Sequence, residues 1–288
     1  MRVDVAPLFR FTQVEYPWIL GPPDGRYLLR REGDPPDADP SHVIVFATLG
    51  APERRRLQRK RRKAEPEPEP VPVSTTRATV VDVGDPFASA EAAATWLAGA
   101  GEKDLDTGLT VLNRAVHMFR LVTADPHVNA VGRHGALVAR VGYGGGEQVS
   151  DGLWTDALEL LEKLGRQSRA KVLTPQAHLA AVLNGREQRL VCEELALRGR
   201  LDLDSGRPRE AALQVLIALD ATIAEVSVDP HGPRLERRLA DIGDMREGAA
   251  QIAQLALEGP LPDDAQAFLA EALRRIEALL RARAVLNA

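Results

Sequence analysis

Eight of the ten residues from 54 to 63 are basic: Arg54, Arg55, Arg56, Arg59, Lys60, Arg61, Arg62 and Lys63. The chemistry open to so dense a run is displacement of counterions from a polyanion, so RNA, DNA or an anionic surface is the partner it would meet. No aromatic residue interleaves it, so base stacking is absent within it and little sequence preference is expected. Two readings compete. One is a solvated linker screened by Glu65, Glu67 and Glu69; the other is docking onto residues 78–288, whose 23 basic and 30 acidic residues leave a net charge of −7.

Other groups offer less. Asp82 and Asp85 stand where an expected strand gives way to a helix, the place at which open α/β sheets put catalytic acids, yet too few strands are visible there for such a sheet. Asp85, before Pro86, reads equally as a helix cap. The six histidines, at 42, 117, 127, 134, 178 and 231, contain no HExxH and no i,i+4 pair. Asp125, His127 and His134 form the one local group able to offer three metal ligands, but Asp125-Pro126 reads more simply as a helix-ending turn. The glycines at 142 and 144–146 follow a strand, but no Gly-Lys-Ser/Thr comes after them and the GxGxxG frame from Gly142 meets Glu147 at its last glycine, so a strand exit is expected. A calcium loop at 202–206 is excluded, because its glycine comes one residue early and Leu213 occupies the bidentate-glutamate position. Cys192 is the only cysteine. Beside Glu193 and Glu194 its thiol pKa is pushed up, so a buried structural role is expected. No catalytic residue, cofactor or metal is assigned.

The elements that must position these groups change character along the 288 residues. Residues 1–50 hold six of the twelve aromatic residues and three expected strands, at 2–11, 26–31 and 42–48, separated by turn-rich runs. They read as a small antiparallel β meander, too small to stand alone and so in need of another part of the chain or a partner. Residues 51–77 read as a disordered linker of two materials, the basic run and then Glu65 to Pro72, an extended polyproline II spacer of about 25 Å that keeps its neighbours apart. Residues 78–288 read as a mainly helical domain with a few short strands, at 78–83 and 136–141, with 147–149 as a candidate hairpin return. One helix carries Trp96, a second carries the stripe Leu105, Leu109, Leu112, Val116 and Phe119, and others start at Trp154 and Gln176.

Within 190–226 two helical patterns flank Asp204-Ser205-Gly206-Arg207-Pro208. Gly199, Ala211 and Ala218 recur at separations of twelve and seven, and Gly206 to Ala211 forms the junction. This segment resembles a single tetratricopeptide hairpin, which implies two closely packed helices and a protein-binding role. Asp202 and Ile223 depart from that family's tyrosine and closing proline, and no neighbouring copy appears at its 34-residue period. Residues 234–286 read as a C-terminal helical hairpin, with Leu235, Leu239, Ile242, Met245, Ala249, Ile252 and Ala256 on one arm and Ala265, Leu269, Ala272, Ile276 and Leu279 on the other.

The expected fold class is therefore α+β. The leading functional reading is a non-catalytic interaction or scaffold protein that meets a protein partner through its helical domain. The alternatives are a nucleic-acid-binding adaptor working through 54–63 and an enzyme of unknown class. Homo-oligomerisation stays open. A cytoplasmic location is expected, because one cysteine allows no intrachain disulfide, residues 1–7 carry an acid and a proline where a signal peptide would be apolar, and no run reaches the roughly 20 apolar residues of a membrane span.

Overall fold

The computed structural model describes residues 7–31, 34, 35, 37–50, 74–160, 179–185 and 189–287. The basic run 54–63, the Pro/Glu run and the expected helix start at Gln176 lie outside them. The chain divides into two compact units, 1–165 and 166–288.

The first unit is built on a six-stranded sheet. Its strands are β1 (Leu8–Tyr16), β2 (Gly25–Leu29), β3 (His42–Leu49), β4 (Thr75–Asp82), β5 (Val138–Gly145) and β6 (Asp156–Glu159), and the order across the sheet is β2-β3-β4-β1-β5-β6, antiparallel throughout. The expected three-strand meander is corrected here. β1 does not touch β2; it lies between β4 and β5, hydrogen-bonded along both edges, and residues on both its faces are buried. The boundary expected at 77/78 moves to 165/166, since three strands from beyond the linker complete the sheet begun by the first 50 residues.

The spacer reading is corrected too. Leu49 and Thr75 are register partners on adjacent strands, so their Cα atoms lie about 5 Å apart. The chain leaves β3 and re-enters β4 at one point of the sheet, and nothing is being held apart.

Two helices, α1 (Ala90–Gly99) and α2 (Glu102–Thr123), cover one face. Ser89 caps α1, its hydroxyl accepting the Ala92 N–H at 3.1 Å. The expected stripe of α2 places Leu105, Leu109, Leu112 and Val116 against Val14, Tyr16, Ile44, Phe46, Val80 and Val141. On the opposite face Phe11, Val81 and Val149 form a smaller cluster under the short helix α3 (Gly146–Ser150), with Trp154 and Ala157 packed beside it. Residues 147–149 are thus helical rather than a hairpin return, and the helix expected from Trp154 is replaced by β6, which the free edge of β5 pairs. Gly142, Gly144 and Gly145 sit inside β5 rather than after it, and Gly146 opens α3. A Cβ on Gly142 would fall 2.4 Å from the Asp156 carbonyl oxygen and 2.8 Å from the Phe11 ring, which is the physical reason for glycine there.

The second unit is helical: α4 (Val191–Asp204), α5 (Pro208–Ser227), α6 (Gly232–Gly243), α7 (Arg246–Glu258) and α8 (Asp263–Asn287). α4 and α5 form the expected hairpin, turning at Gly206 with φ +69°. Gly199, Ala211 and Ala218 are buried in it, and a Cβ on Gly199 would sit 3.3 Å from both Val215 and Leu273. The single first arm expected for the C-terminal hairpin is in fact two helices. The Asp244 and Met245 N–H groups turn back to the Ala240 and Ile242 carbonyls, breaking the rod so that Met245 and Ala249 stay in the core with Leu235 and Ile242. α8 completes that core through Leu269, Leu273, Ile276 and Leu279.

Candidate functional site

The face of the sheet beneath α1 and α2 changes chemistry one row from its end. Ile44, Val80, Thr12, Val141 and Leu158 run side by side across five strands as one row, apolar but for Thr12. In the terminal row His42 pairs with Asp82, and Arg10 pairs with Tyr143, which pairs in turn with Asp156. Arg10 and Asp82 join the two halves of that row through a 3.6 Å ion pair. The period-two alternation of strands carries both rows to the same face.

Above this boundary α2 is pressed onto the sheet by Gly108, at which a Cβ would fall 2.1 Å from the Thr12 hydroxyl oxygen. Beside that contact lies a cleft of about 280 Å³, walled by Thr12, His42 and Asp82 from the sheet, Asp104 and Thr107 from α2, and Trp96 from α1. Arg10 forms its remaining side. Its guanidinium lies 5.3 Å from the Phe87 ring centre and 5.9 Å from that of Trp96, and Nη2 donates to Asp85 at 2.8 Å.

The polar groups of the cleft are unequally satisfied. Ser41 Oγ lies 3.2 Å from the Leu29 carbonyl oxygen and 3.0 Å from His42 Nδ1, so one hydroxyl ties the imidazole to the end of β2. Burial pushes the His42 pKa below its ordinary value against the opposing charge of Asp82, and Arg31 and Arg114 lower it further. Asp104 Oδ2 accepts the Gly101 N–H at 2.8 Å, fixing the first turn of α2. Thr12 is only 7 % exposed, and the Arg10 Nε is buried and makes no hydrogen bond. The Asp82 carboxylate lies 3.6 Å from the Arg10 Nε.

Asp82 and Asp85 are thus brought together, but around Arg10 rather than as an acid and base pair, and Asp85 points outward with its side chain 70 % exposed. His42, Arg10, Thr12 and Asp104 are not singled out as a group by sequence; the signal for the first three is a polar residue at even parity in otherwise apolar strands, and Asp104 lies in the first turn of α2. Asp125 Oδ1 accepts the His127 N–H at 2.9 Å as a turn residue, and among the described residues no three of His, Cys, Asp and Glu are grouped to hold a metal ion. Cys192 is buried, and burial with a hydrogen bond to Glu225 pushes its thiol up to about 12. The Glu225 carboxylate accepts the Val191 and Cys192 N–H groups at 3.0 and 2.9 Å, capping α4 from α5.

The helical hairpin carries a second kind of candidate surface. Glu194, Leu197, Leu201 and Asp204 on α4 repeat the 3, 4, 3 spacing of Glu210, Leu213, Ile217 and Asp220 on α5. The four apolar members are 67, 49, 37 and 53 % exposed, each opposite its helix's buried stripe. No helix among the described residues is long and apolar enough to cross a membrane. No protein-family model, curated protein or solved structure matches the chain.

Proposed function

We propose that the chain is a cytoplasmic interaction protein that docks a protein partner on the α4 and α5 hairpin. The observation that carries this reading is the repeated outward motif, which leaves four large apolar side chains in water on the hairpin that resembles a tetratricopeptide unit. Four such residues in two i,i+4 pairs are the anchors a helical or extended partner segment covers. The test is a pull-down from the native host at high salt with wild type and with Leu197→Ser/Ile217→Ser. A stoichiometric partner held by the first and lost by the second, with both proteins folded, supports the reading; equal retention refutes it.

A second reading has its own support. Because the chain leaves and re-enters the sheet at Leu49 and Thr75, the run Arg54, Arg55, Arg56, Arg59, Lys60, Arg61, Arg62 and Lys63 belongs to an insertion in a β-hairpin, where a spacer has no task. This favours a polyanion-binding arm. A duplex DNA complex that neutralises half of the eight charges would show a log-log salt slope of about −3.6. Replacing all eight with glutamine removes that binding and leaves the melting temperature unchanged; equal weak binding by both proteins to RNA, duplex DNA and anionic vesicles refutes it.

A further inference from the structure

We infer that the polyanion met by the basic arm is an anionic lipid bilayer, an identification that rests on the arm reading, and that the bilayer seats on an apolar patch of Trp18, Ile19, Val122 and Leu137 at the end of the sheet from which the arm departs. Thr48, Thr76 and Tyr16 form one row across β3, β4 and β1, and the chain leaves at Leu49 and returns at Thr75 one residue beyond that row. Past Tyr16 the chain crosses the same ends of β4 and β3 on its way to β2. Asp24 closes the crossing, its carboxylate accepting from the Thr48 N–H at 3.0 Å and from the Thr48 hydroxyl at 2.8 Å. Within it Leu20 is buried and Trp18 packs on Tyr16 with ring centres 4.9 Å apart, which leaves Ile19 between them 72 % exposed. Gly21 lies against the Phe119 ring of α2, and Val122, one turn beyond Phe119, is 85 % exposed. Leu137, whose N–H donates to the Glu15 carbonyl at 2.7 Å, adds a further exposed apolar side chain at this end.

The patch itself is uncharged. Residues 17–24 hold a single ionisable group, Asp24, and it is engaged by Thr48. Beside this apolar end the sequence supplies eight basic residues within ten positions. A nucleic acid would answer the charges and leave the patch in water, since phosphate and sugar offer Ile19, Val122 and Leu137 nothing to cover and one tryptophan makes no stacking platform. A bilayer answers both. Its acidic headgroups attract the basic run, and its interfacial layer takes a tryptophan and branched aliphatic side chains. Stable attachment to a membrane surface takes two signals, because a single one gives only marginal, reversible binding. The crossing loop and the arm supply the two at one end of one sheet.

The test sediments the full chain with vesicles of phosphatidylcholine alone and of phosphatidylcholine with about 30 % phosphatidylserine, and measures its affinity for RNA and duplex DNA at the same salt. Saturable binding to the acidic vesicles, tighter than to either nucleic acid and nearly absent from the neutral vesicles, is the expected result. Ile19→Ser/Val122→Ser should keep the melting temperature, weaken the acidic vesicles about tenfold or more through lost apolar burial, and leave nucleic-acid binding as it was. If the pair fails to fold, Ile19→Ser alone carries the same expectation. Replacing the eight basic residues with glutamine should release the acidic vesicles. A glutamine variant that holds those vesicles as wild type does overturns the arm reading and the inference together. Loss of binding in the glutamine variant with unchanged vesicle affinity in the serine variant overturns the inference alone, as does tighter binding to RNA or duplex DNA than to the acidic vesicles, or no binding to those vesicles by wild type.

Discussion

Gly108 sets the depth of the cleft. With a Cβ that would land 2.1 Å from the Thr12 hydroxyl oxygen and 2.3 Å from its Cβ, alanine can enter only if α2 lifts off β1. Gly108→Ala should therefore destabilise the sheet unit by about 1–3 kcal/mol, the usual range for overpacking, even though alanine is the better helix former. Gly99→Ala, at a helical position with nothing within 4 Å, should be neutral or stabilising. Thermal unfolding of the two variants checks the pair, and equal melting temperatures would show that α2 is not held by this contact. Little of the cleft could be read from the sequence. Asp82 drew notice because it ends a strand, whereas His42, Arg10 and Thr12 belong to separate strands and acquire meaning only once the register aligns them.

Where the elements are concerned, β1 to β5, α1 and α2 announced themselves by period and turn residues, but their neighbours did not. The pairing of β1 with β4 and β5 joins segments far apart in the chain, which a short apolar run does not reveal. β6 carried no periodic signal at all; its four residues are a strand because β5 offers them an edge. The break between α6 and α7 was hidden for the opposite reason, since the apolar spacing continues through Met245 while the backbone does not. One consequence can be tested by cutting. Trypsin should cleave first between Arg54 and Lys63, and the two products should elute together under native conditions because β4 of one is wedged between β3 and β1 of the other. Denaturant should separate them. Independent elution of a fragment beginning near Arg77 without denaturant would contradict the sheet order.

On the scale of the whole molecule, the two units have different electrostatic anchors. In the helical unit Arg283 of α8 donates to Asp229 at 2.7 Å and lies 3.6 Å from Glu193, while Glu225 caps α4. Burial pushes the Asp229 carboxyl up, but the Arg283 hydrogen bond, the His231 N–H and the charge of Arg283 outweigh it and hold the pKa below its ordinary value. Glu225 is likewise held low, its burial overcome by the Cys192 and Val191 N–H bonds. Depressed carboxyl pKa values stabilise the folded state above the unfolded values, about 3.9 for Asp and 4.3 for Glu, and that contribution fades as pH falls through the folded ones. Amide protection factors across α4 to α8, which are corrected for the intrinsic exchange rate, should fall below about pH 4, and Asp229→Asn should reduce that pH dependence; an unaltered profile would mean that the cluster does not anchor the unit. The place of β1 in the sheet carries a further consequence for synthesis. As the chain emerges from the ribosome, the first sheet strand to appear has neither of its neighbours, since β2 and β3 pair only with each other at that stage. β1 must wait through the entire basic insertion for β4 and through two helices for β5, so a nascent chain halted near residue 74 would expose an apolar strand with both edges bare, the state in which chaperone capture and aggregation compete.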